Sequence, residues 1–291
     1  MTLLQAHLLA AALLSLDMLA RAARIHFFLR GAGERVAFWR VFVANVFGDA
    51  AAAVTPMRLG GEGARLVGLL RSGVPFPPLA TVLAVEVAAY TVVVAGAAGA
   101  VGWLFGEEWW AEVGPEVTAA ALRGAEWLAV LAVLVVLALL LARWLRRRGV
   151  GVGGRIPRPS LEVLRGTAGW PLAASVPLTL ASVAARVAIL PVLAYAWGDD
   201  SALPVLVTAS FALTYGQFLL PTPAGAGAVE LAFAGGVAGE EGAADPGLML
   251  AWRLYTFVLP VALGFGLAAL TYGAGTLRSV LGGRSGAEGR P

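Results

Sequence analysis

The 291-residue chain has no cysteine, no lysine and only two histidines, His7 and His26. Missing thiols exclude disulfides and thiolate metal sites and leave the redox compartment open. Two histidines without a spaced partner give no basis for a metal site, so no metal and no cofactor are expected. Charge is scarce as well. Only 13% of residues are charged, against roughly 25% in a soluble domain. All 21 basic residues are arginine, which beside so much Ala, Gly, Val and Leu is first a mark of GC-rich coding. Glycine-rich "GVGVGGR" at 149–155 lacks the Lys-Ser/Thr of a phosphate-binding loop and reads as a flexible linker. No nucleophile elbow, zinc motif or catalytic carboxylate pair is present, so an enzyme is not expected, nor is a nucleic-acid partner.

Apolar sequence is what the chain has in quantity: 59% of it is hydrophobic. A helix needs about 20 apolar residues to cross the ~30 Å core of a bilayer. Stretches 3–20, 79–105, 122–142, 170–197 and 247–275 meet that length, and 41–54 and 203–220 are shorter. Its apolar beginning, 3–14, has no basic region before it and is followed by Asp17, Arg21 and Arg24, so the first stretch reads as an uncleaved transmembrane helix rather than a signal peptide. The expected fold class is all-α: a polytopic integral membrane protein with about five to seven full transmembrane helices.

Charge distribution gives a topology. Segment 21–40 holds five Arg against one Glu, 143–168 holds seven Arg against Glu162, and the tail after 275 holds three Arg against Glu288. Segment 106–118 holds four Glu and no Arg, with Trp103, Trp109 and Trp110 as interfacial anchors, and 198–202 and 240–245 are acidic. The positive-inside rule places the Arg-rich segments in the cytoplasm. Residues 41–78 must then enter from the cytoplasm and return to it, and 203–239 must enter from outside and return outside. Both stretches are broken by Pro and Gly, at "TPMRLGGEGARL" (55–66) and "TPAGAGAVELAF" (222–233).

Two oppositely facing re-entrant helical hairpins within an inverted repeat satisfy this count. The expected organisation is a single membrane domain, 1–291. It comprises a first repeat (3–105), a connecting helix and cytoplasmic loop (106–169), a second repeat (170–275) and a flexible cytoplasmic tail (276–291). An offset of 167 residues brings Thr55-Pro56 onto Thr222-Pro223 and Glu86 onto Arg253. Paired, interrupted segments in inverted halves are a transporter pattern. Irregular backbone is tolerated at membrane depth only against protein or a wet cavity.

Candidate binding residues follow from that placement. Helix N-termini near Gly60, Gly61 and Gly63, and near Gly225 and Gly227, offer N–H groups to an anion. Arg58 and Arg65 add positive charge, and Glu62 and Glu230 would take a cationic group or a proton. Asp49, Glu86, Arg186 and Arg253 are ionisable residues inside apolar segments, a costly placement that points to substrate binding or to mutual pairing. Asp17 is expected near the cytoplasmic end, paired with Arg21 or Arg24.

At these residues the chain resembles the lysylphosphatidylglycerol synthase transmembrane region, or flippase-like domain, family. "TPMRLGGEGAR" resembles its Pro-x-Arg-x-Gly-Gly-Glu-x-x-Arg motif, "PTPAGAGAVE" its Pro-Thr-Pro-Gly-Gly-x-Gly-x-x-Glu motif, and "WRLYTFVLP" its Tyr-Arg-x-x-Thr-Phe-x-x-Pro motif. Order and spacing agree over about residues 3–275. The resemblance implies an all-helical lipid translocase of the bacterial cytoplasmic (inner) membrane. It would move an anionic or aminoacylated phospholipid, or a polyprenyl-linked lipid, between leaflets through a central polar cavity.

By motif position the resemblance singles out Pro56, Arg58, Gly60, Gly61, Glu62, Arg65, Pro221, Pro223, Gly225, Gly227, Glu230 and Arg253. Two departures stand out: Val87 where the family often has Arg, and Ala224 where Gly is usual. No soluble aminoacyltransferase domain is expected. The implied partners are membrane lipids, with a separate lipid-modifying enzyme as the alternative, for which this chain would be a non-transporting scaffold or accessory subunit. An enzyme acting on a lipid phosphate is the least favoured reading.

Overall fold

A computed structural model describes residues 1–107, 111, 161–217, 222–234 and 245–273. The expected span 122–142, the Arg-rich run 143–158 and the tail 276–291 lie outside the described residues. Every described element is helical. In chain order they are α1 (Leu3–Gly31), α2 (Phe38–Val54), α3 (Gly60–Arg71), α4 (Phe76–Glu107), α5 (Leu161–Ala168), α6 (Trp170–Ala196), α7 (Leu203–Gly216), α8 (Ala228–Ala234) and α9 (Pro246–Tyr272). Short 3₁₀ turns, Pro56–Arg58 and Pro223–Gly225, precede α3 and α8, and a π-helical turn, Leu254–Val258, interrupts α9.

Among the described residues α1, α4, α6 and α9 are long and apolar enough to cross a membrane. Large apolar side chains face outward from them: Trp103 is 86% exposed, Leu270 85% and Val92 72%. Such a surface is a liability in water and a natural one against lipid chains.

Helix α1 opens on a reciprocal cap. The Gln5 N–H donates to the Thr2 hydroxyl and the Thr2 N–H donates to the Gln5 side-chain amide oxygen, Oε1. No Gly or Pro interrupts the chain before Gly31, so the helix continues well past residue 20. The expected 21–40 loop is corrected accordingly: Arg21, Arg24 and Arg30 are helical, and the connection to α2 shrinks to 32–37.

Apolar residues at four-residue spacing, Ala6, Ala10 and Leu14, pack into one core with Ile189, Leu190, Leu193 and Ala194 of α6. The two helices run antiparallel. His7 meets Trp197, Asp17 meets Arg186, Arg24 meets Thr179, and Gly31 meets Pro171.

α2 and α3 form a close antiparallel hairpin, with Gly61 against Ala52 and Gly48, and Gly68 against Ala44. The turn between them has a counterpart. At Thr55-Pro56 the N–H groups of Arg58 and Leu59 donate to the carbonyls of Thr55 and Pro56; at Thr222-Pro223 those of Gly225 and Ala226 donate to Thr222 and Pro223. Every partner is displaced by the same 167 positions, and so are the starts of α1 and α6, Leu3 and Trp170.

The interfaces match as well. Gly264, Phe265 and Ala268 of α9 pack on α2, while Val94, Ala97 and Val101 of α4 pack with Val183, Val187 and Phe211 of α6 and α7.

A methyl group at Gly264 would stand 2.2 Å from the Val46 carbonyl oxygen and 2.5 Å from Ala50. Gly264→Ala is therefore expected to cost about 1–3 kcal/mol despite alanine's better helix propensity, read as a lower unfolding midpoint in detergent. Gly63 of α3 faces open space, and Gly63→Ala is expected to be neutral or to gain up to about 1 kcal/mol. Equal shifts for the two would show that close packing is not what Gly264 provides.

Candidate functional site

Asp17, Arg21 and Arg24 recur at i, i+4 and i+7 and so share one face of α1. α2 adds Asn45 and Asp49 at i, i+4; α3 adds Gly61, Glu62 and Arg65; α4 adds Glu86, Val87, Tyr90 and Thr91; α6 adds Thr179, Ser182 and Arg186. Among them lies a cavity of about 290 Å³ whose lining includes Arg21, Arg24, Arg58, Arg65 and Arg186 against Asp49, Glu62 and Glu86. The lining thus carries five cations and three anions. Asp17, behind it, makes four.

The charges are wired to one another. Arg21 donates to Asp49 at 2.5 Å, and the Asn45 amide reaches the other Asp49 oxygen at 3.5 Å. Arg24 donates from two nitrogens to Glu86, the Nε bond being 2.8 Å, and to the Thr179 hydroxyl at 3.0 Å. Its guanidinium also lies 4.7 Å from the Tyr90 ring centre. Arg186 donates to Asp17 at 2.9 and 3.0 Å, and the Ser182 hydroxyl adds a bond at 2.5 Å.

Arg65 stands between three carboxylates: Glu62 at 2.6 Å, Asp49 at 3.6 Å and Glu86 at 3.8 Å. Among the described residues the Nε atoms of Arg21 and Arg65 are buried without a hydrogen-bond partner. Charges this deep are tolerable only when paired and hydrogen-bonded.

Several expectations find their place here. Arg58, Gly61, Glu62, Arg65, Glu86 and Arg186 line one cavity. Asp17 is corrected: its main partner is Arg186, across the α1–α6 interface, with Arg21 only at 3.9 Å. Gly60 is absent from the lining. Its N–H donates to the Thr55 hydroxyl at 2.9 Å, and a Cβ there would meet the same side chain at 2.8 Å. The glycine therefore closes the turn and caps α3.

Arg253 and Glu230 gather elsewhere. Arg253 donates to Glu230 at 2.5 and 2.9 Å and to the Ala224 carbonyl at 3.0 Å, and Glu230 accepts the Gly227 N–H at 2.7 Å. This second cluster locks the second break, and Gly225 forms its turn. The two breaks themselves touch, the Pro56–Arg58 turn lying against the Pro223–Gly225 turn.

Each break also holds one non-glycine residue at positive φ: Arg58 at 58° and Ala224 at 48°. Such residues are uncommon and strained. Sequence reasoning missed Arg21, Arg24, Tyr90 and Thr91. The i, i+4, i+7 pattern from Asp17 was the signal for the first two, hidden by counting both in the Arg-rich cytoplasmic segment 21–40.

Membrane-length apolar helices enclosing a charged interior define a multi-pass membrane protein. The chain belongs to the lysylphosphatidylglycerol synthase TM region family, whose family model matches residues 2–264. That membership makes it a membrane protein connected with lipid. No curated protein and no solved structure matches the chain.

Two outcomes follow for stability. Asp17 is 1% exposed, and Asp17→Asn strands Arg186; the expected loss is about 3–5 kcal/mol, measurable by thermal unfolding of the purified protein. Ala224→Gly should gain about 0.5–1 kcal/mol, the relief of left-handed strain less the added freedom of the unfolded chain. A loss at Ala224→Gly would mean the methyl group contributes packing that outweighs its backbone cost.

Proposed function

We propose that this chain is a lipid translocase of the bacterial cytoplasmic membrane, with its Arg-rich loops in the cytoplasm and no enzymatic step of its own. It moves an anionic or aminoacylated lipid between leaflets. The observation that carries this reading is the cavity: an excess of arginine over carboxylate, at membrane-helix depth, beside the contact between two broken helical segments. A lining richer in arginine than in carboxylate suits a phosphate, and phosphate is a group common to membrane lipids.

The mechanism is alternating access by two inverted repeats with re-entrant hairpins. Three features support it: antiparallel packing of α1 on α6, the 167-position match of the two Thr-Pro turns, and the corresponding α2–α9 and α4–α7 interfaces. Two antiparallel helices exchanged by a two-fold axis place that axis across both of them, hence in the plane of any membrane they span. Arg58 and Arg65 would engage the lipid phosphate from the first break, while Arg253 and Glu230 would hold the second break in shape.

A second reading has an observation of its own. Four buried or half-buried arginines, Arg21, Arg24, Arg186 and Arg253, each bond a carboxylate within the chain. A scaffold for a separate lipid-modifying enzyme would use them as links between helices.

A leaflet-specific lipid assay in proteoliposomes separates the two. Wild-type protein should accelerate exchange of a labelled anionic phospholipid. Arg58→Ala should slow it about tenfold or more, the equivalent of losing one charged hydrogen bond to phosphate. Exchange no faster than in protein-free vesicles favours the scaffold, and undiminished exchange by Arg58→Ala removes that residue from the site.

A further inference from the structure

We propose that Glu62 is an internal stand-in for the ligand: its carboxylate occupies the place on Arg65 that the phosphate of an anionic lipid takes, and leaves when that lipid arrives. The inference rests on the translocase reading in one respect, that the cavity receives a lipid phosphate.

The three carboxylates around Arg65 are not equivalent. Asp49 and Glu86 are deeply buried, and each has an arginine of its own, Arg21 and Arg24 respectively. They stand 3.6 and 3.8 Å from Arg65, beyond hydrogen-bonding distance. Glu62 alone bonds it directly, at 2.6 Å. Glu62 is also the exposed member: its side chain is 52% exposed, and that of Arg65 only 6%. Among the described residues Glu62 has no other charged partner.

The costs of separation therefore differ. Withdrawing Asp49 or Glu86 would strand a charge inside the protein. Rotating Glu62 outward exposes an already half-exposed carboxylate, on the first turn of α3 and beside Gly63, which faces open space. Arg65 could not remain behind alone, because a buried unpaired guanidinium is costly. Among the described residues its Nε already lacks a partner, so the Nη1 group that Glu62 vacates needs an arriving anion to accept from it.

Charge bookkeeping agrees. With Glu62 engaged, the arginines Arg21, Arg24, Arg58, Arg65 and Arg186 exceed the carboxylates by one. Its departure raises the excess to two, and a phosphodiester monoanion restores the starting value. Exchange of one monoanion for another leaves the balance as it was, whereas addition of the ligand with Glu62 in place would bring it to zero.

Titration of the purified full chain in detergent with dioleoylphosphatidylglycerol tests this. Glu62→Gln keeps shape and hydrogen bonding but removes the competing charge, and it should bind about fivefold tighter than wild type, the equivalent of one weak ion pair. Glu62→Asp, which reaches Arg65 poorly, should shift the same way by less. Glu162→Gln, an exposed carboxylate on α5, should match wild type.

Tightening is the opposite of what a merely structural Glu62 would give. Equal or weaker binding of both the lipid and inorganic phosphate by Glu62→Gln overturns the inference alone. Failure of wild type and variant alike to bind the lipid overturns it together with the translocase reading. A parallel titration with inorganic phosphate separates the sources: tightening with phosphate but not with the lipid upholds the displacement and makes free phosphate the ligand, against the translocase reading.

Discussion

The structure depends on one constraint: ionised side chains inside an apolar bundle must find partners from other helices. Asp17 of α1 joins Arg186 of α6, Arg21 of α1 joins Asp49 of α2, and Arg24 of α1 joins Glu86 of α4. Each pair ties two different helices. Arg65 of α3 then lies among Glu62, Asp49 and Glu86 and draws the hairpin into the same network. Hydrophobic burial cannot set helix register strongly when lipid is as apolar as the core. Polar links and close packing of small residues take that role. Here both act at the same interfaces, with Gly48 and Gly61 allowing α2 and α3 to approach where Asp49 and Arg65 meet.

That network also explains why the cavity persists. Five guanidinium groups in one small volume repel one another, and the carboxylates behind and between them hold Arg21, Arg24, Arg65 and Arg186 in position. The remaining imbalance is small and positive. In the proposed function it is this surplus of arginine over carboxylate, rather than any single arginine, that makes the interior selective for an anion.

Much of this was legible in the chain itself. Apolar runs placed α4, α6 and α9 to within a few residues, because spans of this length leave little ambiguity about where a helix lies. The Thr-Pro breaks marked both interrupted segments, and their matching hydrogen bonds show why the repeated dipeptide matters: Pro cannot donate, and the preceding Thr takes an extended conformation near ψ 145° in both places.

What the sequence concealed has a physical cause. Arg21 and Arg24 look like the basic flank of a short span, and only the carboxylates of α2 and α4, distant in sequence, make their burial possible. Arg253 and Glu86 align in the offset match, yet they serve different clusters, since the partner of one is on α8 and that of the other on α1. Ala224 shows the reverse situation. A residue noted only as unusual in the motif turns out to hold a left-handed backbone that glycine would adopt without strain.

The widened turn in α9 has an effect on aim. There the Leu259 N–H reaches back five residues, to the Leu254 carbonyl, so the coil accommodates one residue more than a regular helix would. One residue is about 100° of rotation. The stretches before and after it are consequently out of phase, and a single rod can present Arg253 toward α8 while setting Gly264 flush against α2. Without that slip the same sequence of side chains could satisfy one neighbour only by turning away from the other.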